Sequence, residues 1–499
     1  MLNIISGIFV VIISSIGYYL SFKSFKKNKV PLAIALLMLF GLVLRIYLAS
    51  DLFLHEWDER YHAVVAKNLI DFPLKPMLYA HPVLPYNIEN WPANHIWLHK
   101  QPFPLWTMAL SMWFFGVNEL ALRLPSVIFT VIGIYLTYEI GRYLFSKRVG
   151  FIAAFLYSIS GVIIEVSAGR IATDHVDVFF LFFVELAVFW AIKFATCKKQ
   201  IFNILCGLAI GLAILSKWLP ALIVLPIWIL LLIDSKRFSI KEISINFLLL
   251  LGVIAIISTP WQWYIFEYFP AEAQWESDYN FRHFTEALED QGGSIWYHFD
   301  TLRIIYGELI YLVLIWLLLV TLKKFRNFKR AILTVWIFIP FVFFTLSATK
   351  MQGYLLFTAP ALFISTALFW DYLYRIRRSF RYTWLINSLL FLLLALPIRY
   401  TFERLKVFEE REKYPEWVRE FKAMKLDSNA VVFNVERPIE MMFYTDCTAY
   451  KILPSEKLVK ELIQQGYDVQ ILDNGTINKF YIRIDGITIV QSEYNVHIK

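Results

Sequence analysis

The stretch His55, Glu56, Trp57, Asp58, Glu59, Arg60, Tyr61 sets carboxylates beside a guanidinium and a phenol, a combination able to take a proton from an attacking hydroxyl. The same residues also suit a plain helix start, where Asp and Glu favour the positive end of the helix dipole. A zinc-protease reading fails, because a second His should stand four residues after His55 and the next is His62. Four further segments carry groups of interest. His99 and Lys100 precede Gln101, Pro102, Phe103 and Pro104; a Lys there could meet a lipid phosphate or merely snorkel to headgroup level. Arg170 is followed by Asp174, His175 and Asp177, and Asp174 could be a reacting carboxylate or a helix-start residue beside Arg170. Lys217 ends one apolar run, and Lys350 and Tyr354 stand between two others. His283 lies in an acidic, Trp- and Tyr-rich stretch that could form a lid over a polar acceptor or an ordinary aromatic belt. A divalent metal stays open, since His99, His283, Asp174 and Asp177 could share one, but their spacing carries no ligand signature.

The elements that must hold these residues are read from hydropathy. The chain is 58% hydrophobic and 18% charged, and its apolar runs are about twenty residues long, enough to cross a bilayer as helices and too long for barrel strands. The fold class is therefore a polytopic α-helical membrane protein. About twelve spans are expected, near 2–21, 31–50, 123–145, 150–168, 174–195, 201–216, 219–234, 243–262, 303–322, 331–348, 354–373 and 382–400. The net charge of +8 sits in short clusters between these runs and not on one soluble face, which speaks for topology and against nucleic acid as a partner. With twelve crossings the clusters 23–29, 142–148, 193–199, 236–241, 323–330 and 375–381 share one face, the cytoplasmic one. The N-terminus, the long loops 51–122 and 263–302, and the segment 401–499 then fall outside.

Residues 201–234 decide that parity. As one helix they would be about 50 Å long, more than one crossing needs, so the chain must turn at Ser216, Lys217, Trp218 and Pro220. Lys217 is thereby left below the outer surface, where a Lys is costly and faces a cavity or a partner. Residues 401–499 change character: apolar stretches at Ala430, Val469 and Ile487 alternate with a charged helical segment from Ser455 to Gln465, and Asp473, Asn474, Gly475 looks like a turn. This reads as a small α/β extracytoplasmic domain after a transmembrane domain of residues 1–400. Three cysteines, Cys197, Cys206 and Cys447, make no disulfide framework. No internal repeat is evident, which counts mildly against an inverted-repeat transporter.

Together these segments resemble the GT-C membrane glycosyltransferases, in particular the branch of protein O-mannosyltransferases and the lipid A aminoarabinose transferase. The resemblance covers most of residues 45–375. It rests on Asp58 to Tyr61, on Lys100 with Pro102 and then Phe115, Gly116, Glu119, Arg123, Leu124 and Pro125, on Arg170 to Asp174, on Gly211 to Lys217, and on Ser347 to Tyr354. Two features depart from it: Gln101 stands where the family often has Pro, and Asp58 and Arg60 are spaced differently. The resemblance implies a polyprenyl-phosphate-linked sugar donor, a glycolipid or protein acceptor, membrane lipid as surroundings, and inversion at the sugar. It implies catalytic roles for Asp58, Glu59 and Asp174, donor-phosphate contacts for Lys100, Arg170, Lys217 and Arg60, and substrate contacts for Tyr61, His283, Lys350 and Tyr354. It also implies a bacterial inner-membrane enzyme working on the outer face. No nucleotide cofactor is expected, in keeping with the absence of a phosphate-cradling Gly-rich loop. The other class that fits a basic cavity is a transporter or flippase of lipid-linked sugars, which would carry its ionisable groups nearer the membrane midplane.

Overall fold

The structure is a computed structural model describing residues 2–171, 175–323, 327–473, 475, 477, 481 and 485–491. Among these, nine helices are long and apolar enough to cross a membrane, or up to eleven if two bent pairs each count as one span. A shorter apolar stretch, Leu219–Ser235, stands where a further span was expected. Every expected run thus has a helical counterpart.

The departures have local causes. Helix Gln200–Lys217 stops at Trp218, whose φ of 69° leaves the right-handed helical region, and Pro220 follows in a 3-10 turn, Leu219–Ile223. The run expected at 303–322 is divided into Tyr297–Tyr306 and Ile310–Lys323, which meet at 109°. Gly307 makes that corner with φ of 88°, and a Cβ there would lie 3.0 Å from the Leu396 Cβ. The corner needs both the left-handed conformation and the empty space that glycine supplies. Helix Ile240–Tyr268 runs six residues past the expected end before Pro270–Thr285 begins.

The chain divides into two compact units. The first, Met1–Ala49, Lys100–Pro104 and Arg123–Glu410, holds the apolar helices. Ionisable residues within it are pinned between helices: the fully buried Arg45 donates to Thr130 Oγ1 at 2.8 Å, to the Gly41 carbonyl at 2.9 Å and to the Ser158 carbonyl at 3.1 Å. Glu185, also fully buried, accepts from Thr137 Oγ1 at 2.5 Å. Such groups inside lipid-spanning helices persist only where neighbouring helices supply partners. The close crossing of Glu119–Leu144 and Lys147–Ile159 depends on glycine at both faces: a Cβ on Gly141 would come within 2.9 Å of the Gly150 Cα, and one on Gly150 within 2.4 Å of the Tyr138 carbonyl oxygen.

The second unit, Ser50–His99, Leu105–Leu122 and Arg411–Lys499, gathers the first long loop with the C-terminal segment. Its sheet contains β1 (Ala430–Phe433), β2 (Thr448–Ala449), β3 (Asp468–Asp473) and β4 (Ile487–Gln491), all parallel in the order β2-β1-β3-β4. Parallel neighbours require crossovers, and helices Pro438–Tyr444 and Glu456–Gln464 supply the first two. Ser455 caps the latter by accepting from Leu458 N. At the expected turn after β3, Gly475 has φ of 81° and its N–H donates to Asp473 Oδ1 at 2.8 Å.

The glycine crossing gives a stability test. Gly150→Val should destabilise the detergent-solubilised protein by about 1–3 kcal/mol, seen as a lowered thermal midpoint. Gly252→Ala, at a site with nothing within 4 Å of a new Cβ, should leave the midpoint nearly unchanged.

Candidate active site

In the helical unit, Lys217 is the last residue of its helix. Its ammonium pairs with Asp177, which is buried near the start of helix His175–Cys197, and lies 4.9 Å from the centroid of the Tyr354 ring. Tyr354 comes from the 3-10 segment Gln352–Thr358, and its ring packs 5.2 Å from that of Phe344. Three distant stretches thus supply one cation, one anion and one π face. The side chain of Lys217 keeps 25% of its surface exposed, against 5% for Asp177, so the cation has an open side and the carboxylate does not. The partner that a Lys at this depth requires is Asp177, which sequence reasoning singled out only as a weak metal candidate. Asp174, the residue favoured there, lies outside the described residues.

Elsewhere in the helical unit, His175 Nδ1 is 3.1 Å from Ser126 Oγ. Arg170 follows helix Gly161–Ser167 and is half-buried; its backbone N–H donates to the Glu165 carbonyl at 3.1 Å. The Glu165 carboxylate itself is paired with Arg404 at 2.5 Å. Lys100, half-buried, precedes helix Pro102–Phe115, and the neighbouring Gln101 side chain accepts from Gln262 at 2.9 Å.

The segments that carry His283 and Lys350 meet through the backbone. Thr349 N–H and Ser347 Oγ both donate to the His283 carbonyl, at 3.0 and 2.8 Å, and Lys350 N–H donates to the Gln291 carbonyl at 2.7 Å. The Lys350 ammonium donates to the carbonyls of Thr345 and Ser347 at 2.9 and 2.7 Å, closing the C-terminal end of helix Phe328–Leu346. Burial lowers its pKa from the ordinary lysine value. Its geometry is that of a residue clasping the second long loop.

In the other unit, Asp58 is the first residue of helix Asp58–Leu69 and is half-buried. Glu59 next to it is buried and accepts from the backbone N–H of His55 at 2.8 Å and from its Nδ1 at 2.6 Å. His55 Nε2 in turn lies 3.4 Å from the buried Asp51, and Arg411 Nε lies 3.8 Å from the other oxygen of that carboxylate. Glu59 is thereby tied into a scaffold that orients the helix start. The two successive i, i+4 steps, Asp51 to His55 and His55 to Glu59, are the signal the sequence carries for it. Arg60 reaches Glu440 at 3.3 Å and the Tyr61 hydroxyl at 3.4 Å. Tyr61 is sandwiched near Trp91 and Trp97, at ring distances of 5.1 and 6.2 Å, and burial raises its pKa, keeping it a neutral donor. His99 stacks on Trp91 at 4.1 Å. Arg411, Arg437 and Glu440 were not anticipated, because nothing in local spacing links them to residues nearly four hundred positions earlier. Among the described residues no group of three or more His, Cys, Asp or Glu is arranged to hold a metal ion, so His99, His283 and Asp177 are not gathered into such a group.

Comparison with known proteins bears on this arrangement. A family model described as dolichyl-phosphate-mannose-protein mannosyltransferase matches residues 99–263, a range that includes Lys100, Arg170, Asp177 and Lys217. An undecaprenyl phosphate-alpha-4-amino-4-deoxy-L-arabinose arabinosyl transferase of Pseudomonas fluorescens is 27% identical over 283 residues, covering 54% of this chain and 48% of that protein. The chain thus spans about half the length of the curated relatives it matches. Among solved structures, ArnT from Cupriavidus metallidurans in the apo state superposes with a TM-score of 0.62 at 16% identity, covering 92% of this chain and 93% of that one. The chain has the GT-C fold. The archaeal oligosaccharyltransferase AglB from Archaeoglobus fulgidus, solved with an inhibitory peptide and a dolichol-phosphate, shares the GT-C fold at a TM-score of 0.54 and 14% identity over 87% of this chain and 68% of that one.

The pairing of Lys217 with Asp177 has a thermodynamic signature within this GT-C framework. Removing either partner leaves the other desolvated and uncompensated. Lys217→Met and Asp177→Leu should each lower the thermal midpoint, and the double variant should lose less than the sum of the two, with a coupling of about 0.5–3 kcal/mol. Additive losses in a double-mutant cycle would show that the pair is not energetically linked.

Proposed function

We propose that this protein is an inverting glycosyltransferase that moves a sugar from a polyprenyl-phosphate carrier to an envelope acceptor on the outer face of the bacterial inner membrane. The observation that carries the reading is Lys217, a cation at the end of a membrane helix, held by Asp177 and Tyr354 with part of its surface open. Such a cation suits a lipid phosphate that develops charge as it leaves. The printed names of the relatives, an undecaprenyl-phosphate arabinosyl transferase and a dolichyl-phosphate mannosyltransferase family, support the same donor chemistry, as does an ArnT structure bound to undecaprenyl phosphate. They give no support to the transport alternative.

In the proposed reaction an acceptor hydroxyl attacks the anomeric carbon while Asp58 takes its proton. The bond from that carbon to the phosphate oxygen breaks, and the polyprenyl phosphate leaves with the electron pair. Lys217, with Lys100 and Arg170, balances the charge that develops on it. At an effective dielectric near 20, one cation about 4 Å away contributes up to about 4 kcal/mol. Asp174 is a further candidate carboxylate. Glu59 orients Asp58, Arg60 and Tyr61 line the helix start, and His283 and Lys350 shape the second loop; Tyr354 presents Lys217. The acceptor is a glycolipid such as lipid A, or a protein hydroxyl.

Purified protein incubated with a panel of polyprenyl-phosphate sugars and envelope extracts should yield a glycosylated product identifiable by mass. Asp58→Asn should lower that yield by about two orders of magnitude or more while the protein remains folded in the membrane fraction. Activity near that of the unaltered protein would remove Asp58 from the base role.

A further inference from the structure

The helix start at Asp58 is flanked on both sides by ion pairs to the C-terminal segment. Two residues before it, Glu56 pairs with Arg437 at 2.7 Å; two residues after it, Arg60 pairs with Glu440 at 3.3 Å. Both partners belong to the C-terminal segment, Arg437 immediately before helix Pro438–Tyr444 and Glu440 within its first turn. They are joined to each other, Arg437 Nη1 lying 3.5 Å from the same Glu440 oxygen that meets Arg60. Glu440 is fully buried and faces both guanidiniums. Arg437 is further fixed by stacking 4.9 Å from the Trp417 ring. The helix continues the hold at its far end, where Lys67 donates to the carbonyls of Met442, Phe443 and Thr445 and pairs with Asp446 at 3.0 Å. Upstream, Leu54 N–H donates to the Tyr444 hydroxyl at 3.1 Å, and Leu52 N–H donates to the Lys413 carbonyl at 2.7 Å.

We propose that the C-terminal helix Pro438–Tyr444 is a positioning clamp for Asp58, acting through the Arg437–Glu56 and Glu440–Arg60 ion pairs that straddle it. The proposal rests on the reading of Asp58 as the base. Arg437 and Glu440 touch no reacting atom in it; they set where the carboxylate stands. A reacting group displaced by about 1 Å can slow turnover by roughly a hundredfold without altering how tightly the carrier is held. The C-terminal segment is on this account a working part of the transferase and not a separate module.

The test uses the full chain in liposomes with a polyprenyl-phosphate sugar as donor. Arg437→Met and Glu440→Gln should each lower kcat by about 10–100-fold and leave the carrier KM within about twofold. Arg437→Lys, which keeps the charge, should recover part of the loss. Glu56→Gln combined with Arg437→Met should be no slower than Arg437→Met alone. In an Asp58→Asn background, Arg437→Met should not reduce the residual product further, whereas a general loss of folding would. An inactive Asp58→Asn protein together with unchanged kcat in Arg437→Met and Glu440→Gln overturns the clamp and leaves the base reading standing. An active Asp58→Asn protein overturns the base reading, and the clamp with it. Equal losses from Arg437→Met in both backgrounds also overturn the clamp.

Discussion

An ammonium group at the end of a membrane helix must be met by opposite charge, and that constraint organises the helical unit. Lys217 meets it with Asp177 and the Tyr354 ring. The ends of two helices and a 3-10 segment have to arrive together for this to happen. The break at Trp218, made by its φ of 69° and by Pro220, leaves the last side chain of helix Gln200–Lys217 in reach of Asp177. Asp177 is enclosed while Lys217 is not, so the pair is satisfied on one side and open on the other. A cation in that state can exchange part of its field with an arriving anion at lower cost than a lysine drawn from bulk water.

Much of the fold was legible because membrane spans are written in local composition. Run length located the helices, and the excessive length of 201–234 required a turn at Ser216 to Pro220, where the structure breaks. The strands at Ala430, Val469 and Ile487 were visible as short apolar stretches. Corners were less visible: Gly307 divides a run whose hydropathy is continuous, and only the close approach of Leu396 reveals why.

Side-chain partners were legible by type but not by identity. The need of Lys217 for a partner followed from its depth, yet the choice of Asp177 depends on how helix His175–Cys197 is rotated, which composition does not encode. Lys350 was a candidate because it is a cation at a helix end; its ammonium turns out to close that end, bound to the carbonyls of Thr345 and Ser347. Glu59 stood in a motif whose chemistry suggested a reacting carboxylate, and it is committed to His55. The ties from residues 50–67 to residues 411–446 bridge more than three hundred positions and leave no periodic trace. They join the first long loop and the C-terminal segment in one compact unit.

The central claim is that Lys217 receives the carrier phosphate. The direct measurement is a structure of the full chain in lipid with polyprenyl phosphate bound. A phosphate oxygen within about 3 Å of Lys217 Nζ, the distance of a charge-assisted hydrogen bond, is the result expected. A carrier bound with its phosphate far from Lys217, and with Lys217 still closed on Asp177, would contradict the account.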